Sequence, residues 1–362
     1  MTIPSHMDID FTEYGVKLYD WAFDQKIPIS GGLELTHRCN LRCVHCYVAS
    51  DHYPKELNTN EWFQIIDQIA DAGCFWFYIT GGEAMIRPDF LDIYLHCKKK
   101  GMVLAVLSNA TCISEKIADT FAEYPPKVVD ISMYGATEET FDRVGKVKFG
   151  YRRFIQGLER LLVRKIPFKL KTIALRENLE EVHRMRRFAE SLGVSFRYDS
   201  IVNARLDRSL SPFNHGLTPK ESAGLEGSDP QKRKKWKHYC STRLEPPQND
   251  KVYQCGAGKS TFNIDPYGRL SVCLLSRRPN YPVLEGSFLE GWNVAVQKEI
   301  SRKRTEVEKC NTCDMHALCG NCQGYADVLD GKHQKPVEDL CQLAKERAIV
   351  FGLRKNEQRT KH

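Results

Sequence analysis

A chain of 362 residues with 42% hydrophobic side chains can bury one large core and still carry a smaller second unit. No run approaches the roughly 20 apolar residues that a membrane span needs, and the segment Met1 to Phe11 lacks the charged and apolar regions of a secretory signal, so a cytoplasmic location without membrane contact is expected. The net charge of +7 permits an acidic peptide or a nucleic acid as partner without requiring one, and fourteen cysteines in a reducing compartment suggest bound metal more than disulfides.

From about residue 32, short β-rich runs alternate with longer helical patterns, as in repeated strand–helix units that build a parallel sheet. The predicted strands are 32–37, 75–80, 103–108, 128–133, 168–173 and 194–199. Apolar periodicity marks the helices between them, as in Trp62, Ile65, Ile66 and Ile69, and in Phe154, Leu158, Leu161 and Leu162. Asn58 or Thr59 can cap the first of these helices and Gly73 ends it; Gly101 and Gly193 follow two others. Six consecutive units predict an α/β fold with a partial (β/α)6 TIM-like barrel over 31–202, preceded by an extension at 1–30.

At 203–250 the pattern breaks into Ser, Pro, Asn and charged residues and reads as a linker or bridging region. Its basic run at 232–238 reads as a solvated helix face, with an acidic leader peptide as the functional option. The part at 251–348 is rich in cysteine and poor in long periodic segments, as expected of a small domain held by metal. A basic tail occupies 349–362.

Cys39, Cys43 and Cys46 directly follow the first predicted strand, where the C-terminal ends of parallel strands collect chemistry. Three thiolates in one loop suit three irons of a four-iron cubane and leave the fourth iron open, as a catalytic site requires. The alternatives are a zinc site completed by His37 or His45, or three unrelated buried cysteines. The spacing CxxxCxxC after a strand resembles the defining motif of the radical S-adenosylmethionine superfamily. Gly81-Gly82-Glu83, at the end of the second strand, resembles that family's GGE motif, which implies that its backbone and the Glu83 carboxylate hold the amino group of S-adenosylmethionine beside the open iron. The same resemblance places Ser108, Asn109, Ser132 and Arg143 at the cofactor's methionine and ribose. Tyr134, Lys171 and Thr172 are further polar groups that could face the barrel mouth.

Seven later cysteines follow in the order Cys255, Cys273, Cys310, Cys313, Cys319, Cys322 and Cys341. Between the first two, residues 262–270 read as a β-hairpin turning at Pro266 and Gly268, which could bring Cys255 and Cys273 together. The two CxxC pairs suit zinc by spacing, but zinc leaves Cys255, Cys273 and Cys341 unexplained. The whole order resembles the SPASM domain of radical S-adenosylmethionine peptide maturases, with one departure: two residues, Gly320 and Asn321, separate Cys319 from Cys322 where the usual pattern has three. The resemblance implies one or two auxiliary iron–sulfur clusters, the first on Cys255, Cys273 and Cys322 with Cys240 as a possible fourth ligand, the second on Cys310, Cys313, Cys319 and Cys341. Cys74, Cys97 and Cys112 read as buried or half-buried packing residues.

The resemblance implies an enzyme that reductively cleaves S-adenosylmethionine at one [4Fe-4S] cluster, giving a 5′-deoxyadenosyl radical that modifies a ribosomally synthesised peptide or protein. Crosslinking, epimerisation, excision and oxidation are all compatible. A separate peptide-recognition protein and a flavodoxin- or ferredoxin-type electron donor are the expected partners. The competing readings are dehydrogenation of a small molecule or sugar, and a non-enzymatic zinc-binding module touching nucleic acid through the basic run.

Overall fold

The computed structural model describes residues 11–48, 54–242, 251–303, 310, 313–320, 322–329 and 337–352, with the backbone alone at 11–14, 16 and 239–242. After helix α1 (Phe11–Gln25), six strands alternate with helices: β1 (Ser30–Thr36), α2 (Thr59–Asp71), β2 (Trp76–Gly81), α3 (Phe90–Lys99), β3 (Val103–Ser108), α4 (Glu115–Glu123), β4 (Val128–Ser132), α5 (Glu138–Gly145), α6 (Gly150–Val163), β5 (Phe168–Ile173), α7 (Val182–Ser191) and β6 (Phe196–Asp199). All six strands pair in parallel and in chain order, the expected barrel.

Local signals explain these elements. Asn58, not Thr59, caps α2 in a reciprocal capping box with Glu61; the box satisfies backbone N–H groups that the helix cannot pair itself. Trp62, Ile65, Ile66 and Ile69 are fully buried against the sheet, each contributing roughly 1.5–3 kcal/mol. On α6, Phe154, Leu158 and Leu161 are buried but Leu162 is 38% exposed, one position past the apolar stripe. In β1, a Cβ on Gly31 would stand 2.4 Å from the Phe262 ring and one on Gly32 2.4 Å from the Tyr78 ring, so aromatic side chains of both neighbouring strands lie over a bare backbone.

The sheet does not end where the barrel's sequence pattern ends. Strand β7 (Thr261–Ile264) pairs in parallel with β1, and β8 (Arg269–Ser271) and β9 (Pro279–Pro282) follow antiparallel, giving the order β6-β5-β4-β3-β2-β1-β7-β8-β9. The hairpin expected in a separate metal-held domain is therefore an extension of the barrel sheet. The stretch read as a linker contains helices α8 (Pro219–Ser228) and α9 (Pro230–Thr242). Arg347, on the C-terminal helix Glu338–Phe351, makes a double hydrogen bond at 2.7 Å to the buried Glu226 of α8. The basic run lies on α9 with one face docked: Lys232 stands over the Tyr198 ring, and Trp236 stacks with Phe351 and the Arg347 guanidinium. Lys234, Lys235, Lys237 and His238 are exposed. Among the described residues, no helix is long and apolar enough to cross a membrane.

Candidate active site

The loop after β1 is held by its backbone before any ligand is considered. Glu56 accepts hydrogen bonds from the Thr36 hydroxyl (2.8 Å) and the His37 N–H (2.9 Å), and the buried Arg87 donates to Leu35 O (2.9 Å) and Leu57 O (3.0 Å). Farther along, the N–H groups of Arg42 and Val44 donate to Gly145 O and Val144 O at the end of α5. The β2 end continues the ladder, with Gly82 N–H donating to Thr36 O (2.7 Å) and Glu83 N–H to Arg38 O (3.0 Å). A Cβ on Gly81 would stand 2.1 Å from Thr36 O and one on Gly82 2.2 Å from Arg38 O. Both glycines are thus demanded by the cysteine loop packing against β2, and Gly81 also has φ +129°, open to glycine alone.

This loop borders a cavity of 310 Å3 at the C-terminal ends of the strands, lined by Cys39, Cys43, Cys46, Gly81, Gly82, Ser108, Asn109 and Ser132. The structure brings together eight expected site residues from β1 to β4. Two others stand elsewhere. Glu83 is fully buried and turned into the wall: its carboxylate accepts from Ser108 Oγ (3.0 Å), Asn109 N–H (2.8 Å) and Met85 N–H (3.3 Å), tying β2 to β3. Burial pushes its pKa up to about 7. Arg143 is spent on Glu177 O (3.0 Å), Thr140 Oγ1 (3.2 Å) and Glu139 (3.1 Å), on the outside of α5.

The donor set on the cavity wall suits a thiophilic metal centre. Burial pushes the Cys39 thiol up to about 12 and the Cys43 thiol higher still, so metal binding here must release protons. Asn109 Nδ2 stands 3.8 Å from Cys39 Sγ and 3.0 Å from Asn40 Oδ1, linking the β3 end to the loop. Of the two histidines considered for zinc, His37 is hydrogen-bonded to Glu34 (2.9 Å). His45 does line the cavity, with Nδ1 buried without a hydrogen-bond partner and its pKa lowered to about 4 by burial, so the ring is neutral at physiological pH.

The sequence missed the far wall: Ile201, Val202 and Asn203, beyond β6, and Leu274, which follows Cys273. No local pattern marks them; only the fold brings them there. Cys273 is half-buried and Cys322 exposed; desolvation of the Cys273 thiol first, then the charges of Cys322 and Cys255, raise its pKa to about 11. This is the trio expected to hold one auxiliary cluster. Cys310 accepts a backbone hydrogen bond from Cys313, Cys319 ends the helix His316–Cys319, and Cys341 lies on the helix Glu338–Phe351; the last two helices pack through Leu318, Ala344 and Ala348. The side chain of Cys240 lies outside the described residues. Cys74 and Cys97 are core residues, and Cys112 is half-buried near Cys39.

The loop carrying Cys273 and Leu274 is latched to the barrel. Arg277 makes a double hydrogen bond to Glu34 of β1 (2.7 and 3.0 Å), and Glu34, fully buried, also accepts from Asn263 (2.6 Å). Burial alone would raise the Glu34 pKa, but Arg277 and His37 outweigh it together and bring it to about 2. On the other side, Ser276 Oγ bonds to Asp327, on the helix Gln323–Leu329 that follows Cys322.

Residues 33–189, from β1 to α7, match the model of the Radical SAM superfamily. The chain is 27% identical over 330 residues to the AdoMet-dependent heme synthase of Methanosarcina barkeri (strain Fusaro / DSM 804), covering 83% of this chain and 92% of that protein. It is 24% identical over 343 residues to the antilisterial bacteriocin subtilosin biosynthesis protein AlbA of Bacillus subtilis (strain 168), covering 88% and 72%. Streptococcus suis SuiB bound to precursor peptide SuiA shares the fold with a TM-score of 0.66 at 14% identity, over 94% of this chain and 83% of that one. Proteins of the matched superfamily bind S-adenosylmethionine and a [4Fe-4S] cluster. A cysteine loop built into the mouth of a parallel barrel, in the segment that this match spans, fits a Radical SAM domain over residues 33–189.

Proposed function

We propose that the enzyme modifies a ribosomally synthesised peptide, with Cys39, Cys43 and Cys46 holding the [4Fe-4S] cluster. Gly81, Gly82, Ser108, Asn109 and Ser132 hold S-adenosylmethionine in the cavity between them. Cys255, Cys273 and Cys322 hold one auxiliary cluster, and Cys310, Cys313, Cys319 and Cys341 a second. When bound, the cluster and S-adenosylmethionine supply a 5′-deoxyadenosyl radical, which takes a hydrogen atom from substrate. The residues of this chain orient the reactants and exclude water. Asn109 steadies the loop at Cys39, and Tyr134, half-buried on the cavity wall, keeps its proton because desolvation of its hydroxyl raises its pKa.

The observation that carries the proposal is Leu274. Through it the loop of an expected auxiliary ligand, Cys273, forms part of the wall of the reaction cavity, so substrate entering there meets both cysteine regions. The similarity to AlbA and the fold shared with peptide-bound SuiB support a peptide as that substrate. A separate peptide-recognition protein and a flavodoxin- or ferredoxin-type donor complete the system, in the cytoplasm.

A second reading, a small organic substrate, is favoured by the near-full-length similarity to a heme synthase. Anaerobically reconstituted enzyme, reduced and mixed with S-adenosylmethionine, should release 5′-deoxyadenosine together with a mass change in a peptide encoded beside its gene. Turnover with a tetrapyrrole and with no peptide overturns the peptide assignment. Protein that holds zinc without iron or sulfide overturns the radical chemistry.

A further inference from the structure

The reaction chemistry gives the basic run at 232–238 no task. Helix α9 carries five lysines and arginines and no acidic residue, and one of its faces borders a cavity of 390 Å3 outside the reaction chamber. Lys232, Lys235 and Trp236 line one side of it, and Ala317 and Gly320, from the second cysteine region, line another. Lys232 and Lys235 are three positions apart and so share a helix face. Ile201, just past β6, lines both this cavity and the 310 Å3 reaction cavity, so the two adjoin at that residue.

The charges around this cavity do not cancel. Arg347 and Glu226, both buried, neutralise each other through two hydrogen bonds of 2.7 Å. Asp199 accepts the N–H groups of Ser200 (2.7 Å) and Ile201 (3.0 Å) on one carboxylate oxygen. Lys232 Nζ is left 4.0 Å from the Glu226 carboxylate that Arg347 already holds, and 4.1 Å from the centre of the Tyr198 ring, with its side chain 25% exposed. Burial lowers the Lys232 pKa against the pull of Glu226 and Asp199. An ammonium has three donors, and no hydrogen bond reaches this one among the described residues. Lys235, on the exposed rim, makes no ion pair among the described residues.

We propose that this cavity seats an acidic side chain of the peptide substrate, its carboxylate between Lys232 and Lys235 and its stem against Ile201 and Ala317, while another part of the same peptide enters the reaction cavity. The inference rests on the substrate being a peptide and gives that peptide a second point of attachment. Two features favour a peptide over a nucleic acid, the other polyanion that a basic helix could meet. Asp199 and Glu226 stand in the cavity and would repel a continuous line of phosphates, whereas a single carboxylate needs a single cationic seat. The shared Ile201 wall puts the seat beside the chamber in which the substrate reacts.

The test titrates cluster-loaded enzyme anaerobically with acetyl-(Ala-Glu)4-amide, its glutamine counterpart and octauridylate, each carrying the same uncharged dye and read by fluorescence anisotropy. The wild type should bind the glutamate peptide about fivefold or more tighter than either other probe. Lys235→Gln and Lys232→Gln should each weaken the glutamate peptide about threefold or more beyond Lys234→Gln and Lys237→Gln, which remove the same charge from α9 outside the cavity, and Lys235→Arg should restore it. In the unaltered enzyme, which needs no variant to fold, the glutamate peptide with p-benzoylphenylalanine in place of one alanine should photocrosslink to α9 or to residues 317–320, read by mass spectrometry. A smaller wild-type preference, a smaller margin for Lys235→Gln over the two controls, tighter binding of octauridylate, or crosslinks confined to other surfaces overturns the seat. A peptide that is modified normally yet indifferent to Lys235→Gln removes the seat and leaves the peptide assignment standing.

Discussion

The two cysteine regions are built in opposite ways. The first sits on a loop whose backbone is fixed by three parallel strands, by Glu56 and Arg87, and by the end of α5. The second is carried by short helices of four and seven residues and the start of a longer one, held by isolated polar contacts such as Arg347 with Glu226 and Tyr253 with Glu299 (2.9 Å). The first site is shaped by the fold before metal arrives. The second rests on those contacts and on the packing of Leu318 against Ala344 and Ala348, so bound metal would add a larger share of its stability.

That contrast breaks most plainly at the first loop. Replacing Cys39, Cys43 and Cys46 together by alanine should lower 5′-deoxyadenosine release by roughly a thousandfold or more with little change in melting temperature. An unfolded variant would mean that the loop is not preformed. Gly82→Ala should destabilise the chain by about 3 kcal/mol and reduce iron loading of the first site, because its new Cβ meets the Arg38 carbonyl rather than a yielding side chain. Denaturant melts and iron analysis measure both.

The latch between the regions gives an effect of similar size and a distinct pH signature. Arg277→Met leaves Glu34 as a buried anion without its main partner and should cost about 3 kcal/mol. In the wild type the folded pKa of Glu34 lies below the ordinary 4.5, so its contribution is present above pH 4.5 and is lost as pH falls through about 2. Arg277→Met should abolish that acid window in pH-dependent melts. Glu83 behaves oppositely: burial lifts its pKa from 4.5 to about 7, so stability is greatest below pH 4.5 and declines as pH rises through 7. Glu83→Gln should flatten that second window while leaving the acid one in place; a flat profile in the wild type would remove the distinction. The smallest effect belongs to surface charge. Arg164→Ala, which breaks contacts to the exposed Glu115 and Asp119, should leave the denaturation midpoint essentially unchanged.

Much of this was readable from the chain. The alternation of apolar runs located all six barrel strands within about two residues, because each strand and helix signals itself locally through periodicity and caps. The cysteine loop and the double glycine were legible from spacing. What could not be read was non-local. Nothing near residues 261–264 announces that they pair with β1, some 230 positions away, and a carboxylate in a motif does not disclose which way it points, as Glu83 shows. Arg143 lies in an amphipathic helix whose orientation was legible only after folding.

The pairing of β7 with β1 has a practical corollary for anyone recombining such enzymes. A truncation just before residue 251 would strip β1 of a hydrogen-bonding neighbour and leave a raw strand border, an invitation to self-association. Chimeras that exchange the auxiliary portion must preserve the β1–β7 register, because the exchanged segment, with Cys255 and Cys273, also supplies the strands that complete the barrel sheet.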